Sequence, residues 1–266
     1  PESMERLSDK ALLKEIMADA GLSVIPGTKA LSSPEEAVKA AETIGYPVML
    51  KACAGGGGRG IRLINSSGEM ESVYAQASSE ASAAFGDGSL YIEKYIFPAR
   101  HIELQMLADE QGHVVCLGDR DCSLQSRNQK LIEETPSPAV KASQRRKIMT
   151  AAVKAVRKIG YVGAGTLEFL LDAKGDFWFM EMNVRLQVEH CVTEMLTGID
   201  MVKWQIRIAA GVPLDFCQED VEMTGSAIEC RINAQSCGVL KMLHVPGGPS
   251  VRFDTYLMEG TSISIS

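Results

Sequence analysis

Between Glu181 and Glu189 the sequence reads Glu-Met-Asn-Val-Arg-Leu-Gln-Val-Glu, polar at every odd position and apolar at every even one. Strict alternation is the period of a β-strand, so a strand here would carry one polar and one apolar face. An ordinary solvated face mixes Lys, Thr, Ser and Glu. This one lines up two carboxylates, two carboxamides and one guanidinium: Glu181, Glu189, Asn183, Gln187 and Arg185. A second strand-like run, Gly165–Asp172, lies just upstream, followed by Ala173-Lys174-Gly175-Asp176. If Lys174-Gly175 forms a two-residue hairpin turn, the numbers of directly opposed residues sum to 349. Glu168 then faces Glu181, and Thr166 faces Asn183. Carboxylates opposed at ~5 Å repel by roughly 3 kcal/mol at an effective dielectric near ~20. A hard divalent cation with oxygen ligands would relieve that repulsion, most simply Mg²⁺ carrying a nucleotide's phosphates. The competing reading is an exposed hairpin whose acidic residues are unrelated.

The rest of the chain must supply a scaffold for that face. Its 266 residues can bury a substantial core, in one large domain or two smaller ones. It is 45% hydrophobic and 23% charged, the balance of a folded globular protein. A net charge of −7 without a long basic run argues against general binding to nucleic acid or an anionic membrane, but not against a small polyanion such as ATP. Seven cysteines, at 53, 116, 122, 191, 217, 230 and 237, include no Cys-x-x-Cys pair. An odd number without metal spacing points to reduced thiols and a cytoplasmic setting. Apolar runs are short and broken by charge, and the first residues do not read as a signal peptide, so no membrane span is expected. A helix begins almost directly after Pro1 and a β-like run reaches Ser266, which predicts a piece of a longer protein.

In chain order, Ser8 is placed to cap a helix over 9–20 that Gly21 closes. Lys10 falls in its first turn, where the helix dipole favours acids; a solvated lysine is the plainer reading. Ser33-Pro34-Glu35-Glu36 opens a second helix running towards Gly45. A buried strand, 47–52, then leads into Cys53-Ala-Gly55-Gly56-Gly57-Gly58-Arg59-Gly60 and a further strand, 61–64. Four successive glycines expose backbone N–H groups and allow close approach, as a phosphate-covering loop requires. The order strand–loop–strand differs from a P-loop or Rossmann turn, both of which feed a helix. Lys51 beside the loop suits phosphate, and a flexible hairpin is the alternative. A helix over 68–85 and a strand over 90–96 complete a first α+β unit, and long antiparallel strands begin near residue 100. Arg120–Lys130 is rich enough in hydrogen-bond donors to be a substrate loop, with a solvated loop as the commoner meaning. Helices over 143–159 and near 200–210, the hairpin between them and a strand over 227–233 follow.

These segments, in this order, resemble the ATP-grasp fold and within it the biotin carboxylase family. The match rests on K-A-C-A-G-G-G-G-R-G (51–60), Y-I-E-K-Y (91–95), R-D-C-S-L-Q (120–125), Q-K-L-I-E-E-T-P-S-P (129–138), G-T-L-E-F-L (165–170) and E-M-N-V-R-L-Q-V-E-H-C-V-T-E-M (181–195), and continues through Glu229-Cys-Arg231. The resemblance implies an α+β ATP-grasp architecture truncated at both ends: a helix over 1–22 from a missing N-terminal domain, a small lid subdomain over 23–95, and a larger antiparallel-sheet catalytic subdomain over 96–266. It implies that ATP with Mg²⁺ (or Mn²⁺) phosphorylates bicarbonate to carboxyphosphate, and that this or the CO₂ it releases carboxylates the ureido nitrogen of biotin. A biotin carboxyl carrier protein or domain, a carboxyltransferase and a possible homodimer are the implied partners, with acetyl-CoA carboxylase and fatty acid biosynthesis as one setting.

By matching positions, Lys10 and Lys51 would hold ATP phosphates beneath Gly55–Gly58, while Glu93, Lys94, Ile96 and Leu170 would line the nucleotide pocket, with His101 and Gln125 near the ribose. Glu168 and Glu181 would bind the metal with Asn183. Lys130, Arg185, Gln187 and Val188 would hold bicarbonate, Glu189 would act as its base, and Arg185 would face biotin with Arg231 nearby. The sequence departs from the family's usual pattern at Ala54 (usually Gly), Asn128 (usually His) and Cys191 (usually Pro), and an acidic Pro-containing segment is missing after Ala234. The alternatives are another ATP-grasp ligase of the carbamoyl-phosphate type and a degenerate nucleotide-binding module.

Overall fold

A computed structural model of the chain describes residues 10–54 and 60–264. The chain divides into two units, Pro1–Cys230 and Arg231–Ser266. The larger unit contains two antiparallel sheets with helices packed on them, so the expected α+β class is observed.

The small sheet has the order β2–β1–β3, from β1 (Val48–Ala52), β2 (Ile61–Ile64) and β3 (Leu90–Lys94). Helices α2 (Pro34–Ile44) and α3 (Ser67–Phe85) cover one of its faces, burying Ala37, Ala41, Met70 and Ala77 against Val48, Leu50, Ile64 and Ile92. The signals that start and stop α2 operate as expected: Ser33 Oγ accepts from Glu36 N at 3.2 Å, Pro34 occupies the first turn, and Gly45 leaves the helix at φ 86°. Residues 23–31 lace this sheet to the large one. Phe179 N donates to Ser23 O at 2.7 Å, and Lys94 N and Leu31 N pair with Pro26 O and Leu90 O, each at 2.7 Å. A Cβ on Gly27 would lie 2.6 Å from Ile92 O, so only glycine allows this close crossing.

The large sheet has the order β8–β7–β4–β5–β6–β9, all antiparallel. Its strands are β4 (Ala99–Ala108), β5 (Val114–Ser126), β6 (Gln129–Thr135), β7 (Gly163–Asp172), β8 (Phe177–Asn183) and β9 (Ala227–Cys230). On one face Leu104, Met106, Leu167, Phe169 and Phe179 meet α1 (Lys10–Asp19) and α4 (Ala142–Ile159). On the other, Leu107, Val115, Leu117 and Ala164 meet α6 (Met201–Ala209). Because strand side chains alternate, the residues between those of the first core, His101, Glu103 and Gln105 on β4 and Thr166 and Glu168 on β7, point away from it.

Three expectations need correction. The polar row does not run as one strand to Glu189: β8 stops at Asn183, residues 184–189 turn, and α5 (His190–Thr197) begins. His190 N already donates to Gln187 O at 3.3 Å, a helical contact that ends the extended backbone. The β7–β8 turn is longer than two residues, since Leu171 pairs with Phe177 and Asp172 Oδ1 accepts from Lys174 N at 2.9 Å and Asp176 N at 3.0 Å. A bulge between the Glu168 and Phe169 pairs then restores the expected register, with Glu168 opposite Glu181 and Thr166 opposite Asn183. Finally, residues 120–130 are not a loop. They form the end of β5, a two-residue turn and the start of β6; Arg120, Asp121, Ser123, Gln125 and Lys130 bond to neighbouring groups, while residues 126–129 are exposed. Arg127 and Asn128 both have positive φ, 51° and 63°, the conformation of a type I′ hairpin turn, which Asn tolerates better than other side chains.

In the second unit, β10 (Gly238–Val239) pairs antiparallel with β11 (Ser262–Ile263). No disulfide joins the seven cysteines, and among the described residues no helix is long and apolar enough to cross a membrane.

Candidate functional site

A row of charge crosses the large sheet. Glu181, Glu168, Glu103 and Arg120 are direct cross-strand partners on β8, β7, β4 and β5. Directly opposed carboxylates repel, so the row requires cations, and two are present. Arg120 is fully buried; its Nε donates to Glu103 Oε1 at 2.6 Å, and its other nitrogens reach Gln105, Thr166, Thr193 and Gln187. Lys130 Nζ lies 2.7 Å from Glu103, 3.0 Å from Glu168 and 2.6 Å from Glu189. The tight turn at Arg127-Asn128 returns the chain so that Lys130 stands beside Gln125 on the neighbouring strand.

The electrostatics follow from this packing. Burial alone would raise the Glu103 carboxyl, but Arg120 and Lys130 overcome it and hold that carboxyl at about 2. Glu168 likewise resists burial and is lowered to about 2 by His101, Lys130 and Gln187. Burial opposes charge on Lys130 and His101, yet the surrounding carboxylates raise both. Burial pushes the Cys122 thiol up, and Glu103 beside it adds to the effect.

Glu168 is the hub of the row. It pairs with His101 Nε2 at 3.0 Å, and its Oε1 accepts from Gln187 Nε2 at 2.8 Å and Asn183 Nδ2 at 2.9 Å. Asn183 Nδ2 also lies 3.4 Å from Glu181 Oε1 and so bridges the two carboxylates. The groups His101–Glu103–Glu168 and Glu103–Cys122–Glu189 each bring donor atoms within 4.8 Å of one another. The Lys130 ammonium already neutralises both. Among the described residues, the ion pairs of Arg120 and Lys130 reach Glu103, Glu168 and Glu189, and Glu181 stands at the end of the row beside Asn183. An all-oxygen set of Glu168, Glu181 and Asn183 at that end fits a hard divalent ion.

A second charged cluster sits where the small sheet meets α1. The Glu93 carboxylate is buried between Lys14 Nζ, at 2.5 Å, and Lys51 Nζ. Burial opposes its ionisation, but the two lysines outweigh it and lower its pKa. Lys94 Nζ donates to Gly45 O at 2.7 Å, and Ile96 lies half-buried just beyond β3.

Of the other expected residues, Gln125 bonds to His101 Nδ1 at 3.0 Å and Cys122 O at 2.8 Å, and Leu170 is the cross-strand partner of His101. Gln187 and Glu189 are buried in the site, whereas Val188 and Arg185 are exposed, Arg185 Nη1 donating to Leu186 O at 3.2 Å. Lys10 opens α1, but its side chain lies outside the described residues, as do Ser8 and Gly55–Gly58. Arg231 belongs to the second unit. Sequence reasoning missed Glu103, Arg120, Gln105, Thr166, Thr193 and Lys14. Strand parity could have found the β4 pair, since Glu103 and Gln105 alternate with Ile102, Leu104 and Met106. Lys14 left no such signal.

Residues 9–217 match the family model described as the ATP-binding domain of the carbamoyl-phosphate synthase L chain. The chain is 52% identical to a biotin carboxylase of Nostoc sp., over 97% of this chain and 60% of that protein. It is 49% identical to the small subunit of 2-oxoglutarate carboxylase from Hydrogenobacter thermophilus, over 98% of this chain and 57% of that one. The biotin carboxylase domain of the Hydrogenobacter enzyme, solved as a dimer with MgADP, ADP and bicarbonate, superposes with a TM-score of 0.96 at 49% identity, over 99% of this chain and 60% of that one. Biotin carboxylase from Campylobacter jejuni in complex with β,γ-ATP gives a TM-score of 0.95 at 47% identity, over 98% of this chain and 60% of that one. The chain therefore spans about 60% of the length of these relatives.

Proposed function

The chain belongs to the ATP-grasp biotin carboxylase family, and we propose that it forms the nucleotide- and bicarbonate-binding core of an enzyme that carboxylates biotin. The observation that carries this reading is the placement of two opposite charge imbalances within one unit: two lysines on Glu93, and four glutamates around Arg120 and Lys130. A metal–nucleotide complex has the complementary polarity, with phosphates for the first and a divalent cation for the second.

In this reading Lys51, with Lys10 and the Gly55–Gly58 loop, takes the phosphates, and Glu93, Lys94, Ile96, His101, Gln125 and Leu170 surround the nucleoside. Glu168, Glu181 and Asn183 hold Mg²⁺ or Mn²⁺, which when bound offsets the phosphate charge. Lys130, Arg185, Gln187 and the Val188 backbone orient bicarbonate, and Glu189 takes its proton. A bicarbonate oxygen attacks the γ-phosphorus and ADP leaves, giving carboxyphosphate; the carbon–oxygen bond to phosphate then breaks as the carboxyl carbon passes to a ureido nitrogen of biotin, whose proton goes to the released phosphate. Arg185 is exposed at the surface, where it could meet biotin. Phosphoryl transfer mainly needs positioning and neutralisation of spreading charge, which this constellation offers.

Biotin would arrive on a carrier protein or domain, and a carboxyltransferase would pass the carboxyl group to an acyl acceptor. Acetyl-CoA, hence a cytoplasmic role in fatty acid biosynthesis, is one acceptor; relatives named for 2-oxoglutarate and pyruvate support leaving the acceptor to the carboxyltransferase. A homodimer is proposed by analogy with the dimeric Hydrogenobacter domain. The test is bicarbonate-dependent ATP hydrolysis by the full chain. Stimulation by free biotin is expected, and indifference to biotin would favour the carbamoyl-phosphate type of ligase. Arg185→Ala should spare nucleotide binding and abolish biotin carboxylation; unchanged turnover would remove Arg185 from its role.

A further inference from the structure

Glu93 is shared by two lysines that belong to different parts of the fold. Lys51 on β1 and Glu93 on β3 both ride on the small sheet, where Lys51 is the cross-strand partner of Tyr91 and Met49 that of Glu93. Lys14 comes from α1, whose Leu13 and Met17 are packed with Leu104, Met106 and Phe179 of the large sheet. Its Nζ also lies 3.4 Å from Ile25 O, in the segment that crosses between the sheets. Lys14 is therefore anchored to the large sheet and reaches over to the small one.

To engage a phosphate, Lys51 must leave Glu93, whose side chain is only 3% exposed. A carboxylate so buried, left without a cation, is strongly disfavoured, and that penalty would hold Lys51 in place. Lys14 supplies a second cation on the other carboxylate oxygen: Lys14 contacts Oε1 and Lys51 contacts Oε2. Either lysine can depart without leaving Glu93 unpaired, but Lys14 is held by the packing of its helix.

We propose that Lys14 is a positioning residue: it stays with Glu93 as its counter-ion and so frees Lys51 to turn to the phosphates of a bound nucleotide. This rests on the reading of Lys51 as a phosphate ligand. It predicts that Lys14 affects ATP affinity only through the charge of Glu93, whereas a purely structural lysine would act whatever stood at 93.

The experiment is a double-mutant cycle on the full chain, with MgATP affinity measured by calorimetry and kcat at saturating ATP measured alongside. Lys14→Met should weaken MgATP binding by roughly tenfold or more, with a much smaller change in kcat, and Lys14→Arg should restore affinity. In a Glu93→Gln background, Lys14→Met should have no further effect on affinity, because a neutral side chain needs no counter-ion. An equal loss in both backgrounds overturns the proposal. So does unchanged affinity in Lys14→Met while Lys51→Met loses binding, which leaves the reading of Lys51 intact. If Lys51→Met itself leaves affinity unchanged, that reading fails and the proposal fails with it. Should Lys14→Met alone not fold, the comparison within the Glu93→Gln background still decides.

Discussion

The two charged clusters of the larger unit are built on opposite plans. Around Glu93 on β3, cations outnumber carboxylates and come from two elements far from it in sequence, α1 and β1. Across the large sheet, carboxylates outnumber cations and come from directly paired positions on adjacent strands. The first cluster is compensated by two lysines, of which Lys14 is held by its helix and Lys51, on a flexible stem, can leave. The second is anchored by Arg120, fully buried and held by five partners, which cannot. A guanidinium with a rigid fork of donors suits a fixed counter-charge, and an ammonium on a flexible stem suits one that exchanges partners. The difference suits an electrostatic floor that stays still beneath a contact that moves.

That contrast can be broken most forcefully at Arg120. Arg120→Met should leave Glu103 buried with Lys130 alone and destabilise the fold by roughly 3–5 kcal/mol in denaturant unfolding. A loss below about 1 kcal/mol would show that the floor does not depend on its arginine. The same floor should be sensitive to acid. The Glu103 and Glu168 carboxyls are depressed to about 2, below their unfolded values, so the stability they contribute is complete above the ordinary carboxyl range and lost as pH falls towards 2. Unfolding free energy measured from pH 6 downwards should therefore drop by a few kcal/mol, mostly below about pH 4. In Glu103→Gln that acid dependence should flatten, and an unaltered slope would assign it elsewhere.

A smaller effect sharpens the metal side of the comparison. Glu181→Gln should raise the Mg²⁺ concentration for half-maximal ATP hydrolysis by roughly tenfold, worth about 1.4 kcal/mol, while leaving the fold in place. An unaltered titration would detach Glu181 from the cation. The smallest effect is expected at the hairpin that delivers Lys130. Asn128→Ala, at φ 63°, should cost about 1 kcal/mol of stability, and Asn128→Gly should be tolerated. Equal stability of the two variants would mean that the positive φ carries no strain.

Much of the fold was legible without coordinates. Ser33-Pro34 and Gly45 mark helix ends by local chemistry, and the observed helix over 34–44 begins and ends beside them. The Glu168–Glu181 pairing was also legible, although for an incomplete reason. The turn is longer than a two-residue hairpin and the strand pair carries a bulge, and the two departures offset each other. The donor-rich segment 120–130 misled because a buried arginine in a strand and a solvated arginine in a loop look the same in sequence.

What the sequence determined by itself is everything that depends on near neighbours: strand and helix periods, caps, the hairpin that opposes two glutamates, and the motif that identifies the family. Only the tertiary structure decided that β4 lies between β7 and β5, which sets Glu103 beside Glu168 and Arg120. It alone brought Lys14 to Glu93, 79 positions away. Sheet order and helix docking are settled by burial of apolar faces summed over the whole chain, and those faces record which side is buried but not against what. The charged groups then take their partners from wherever that burial leaves them.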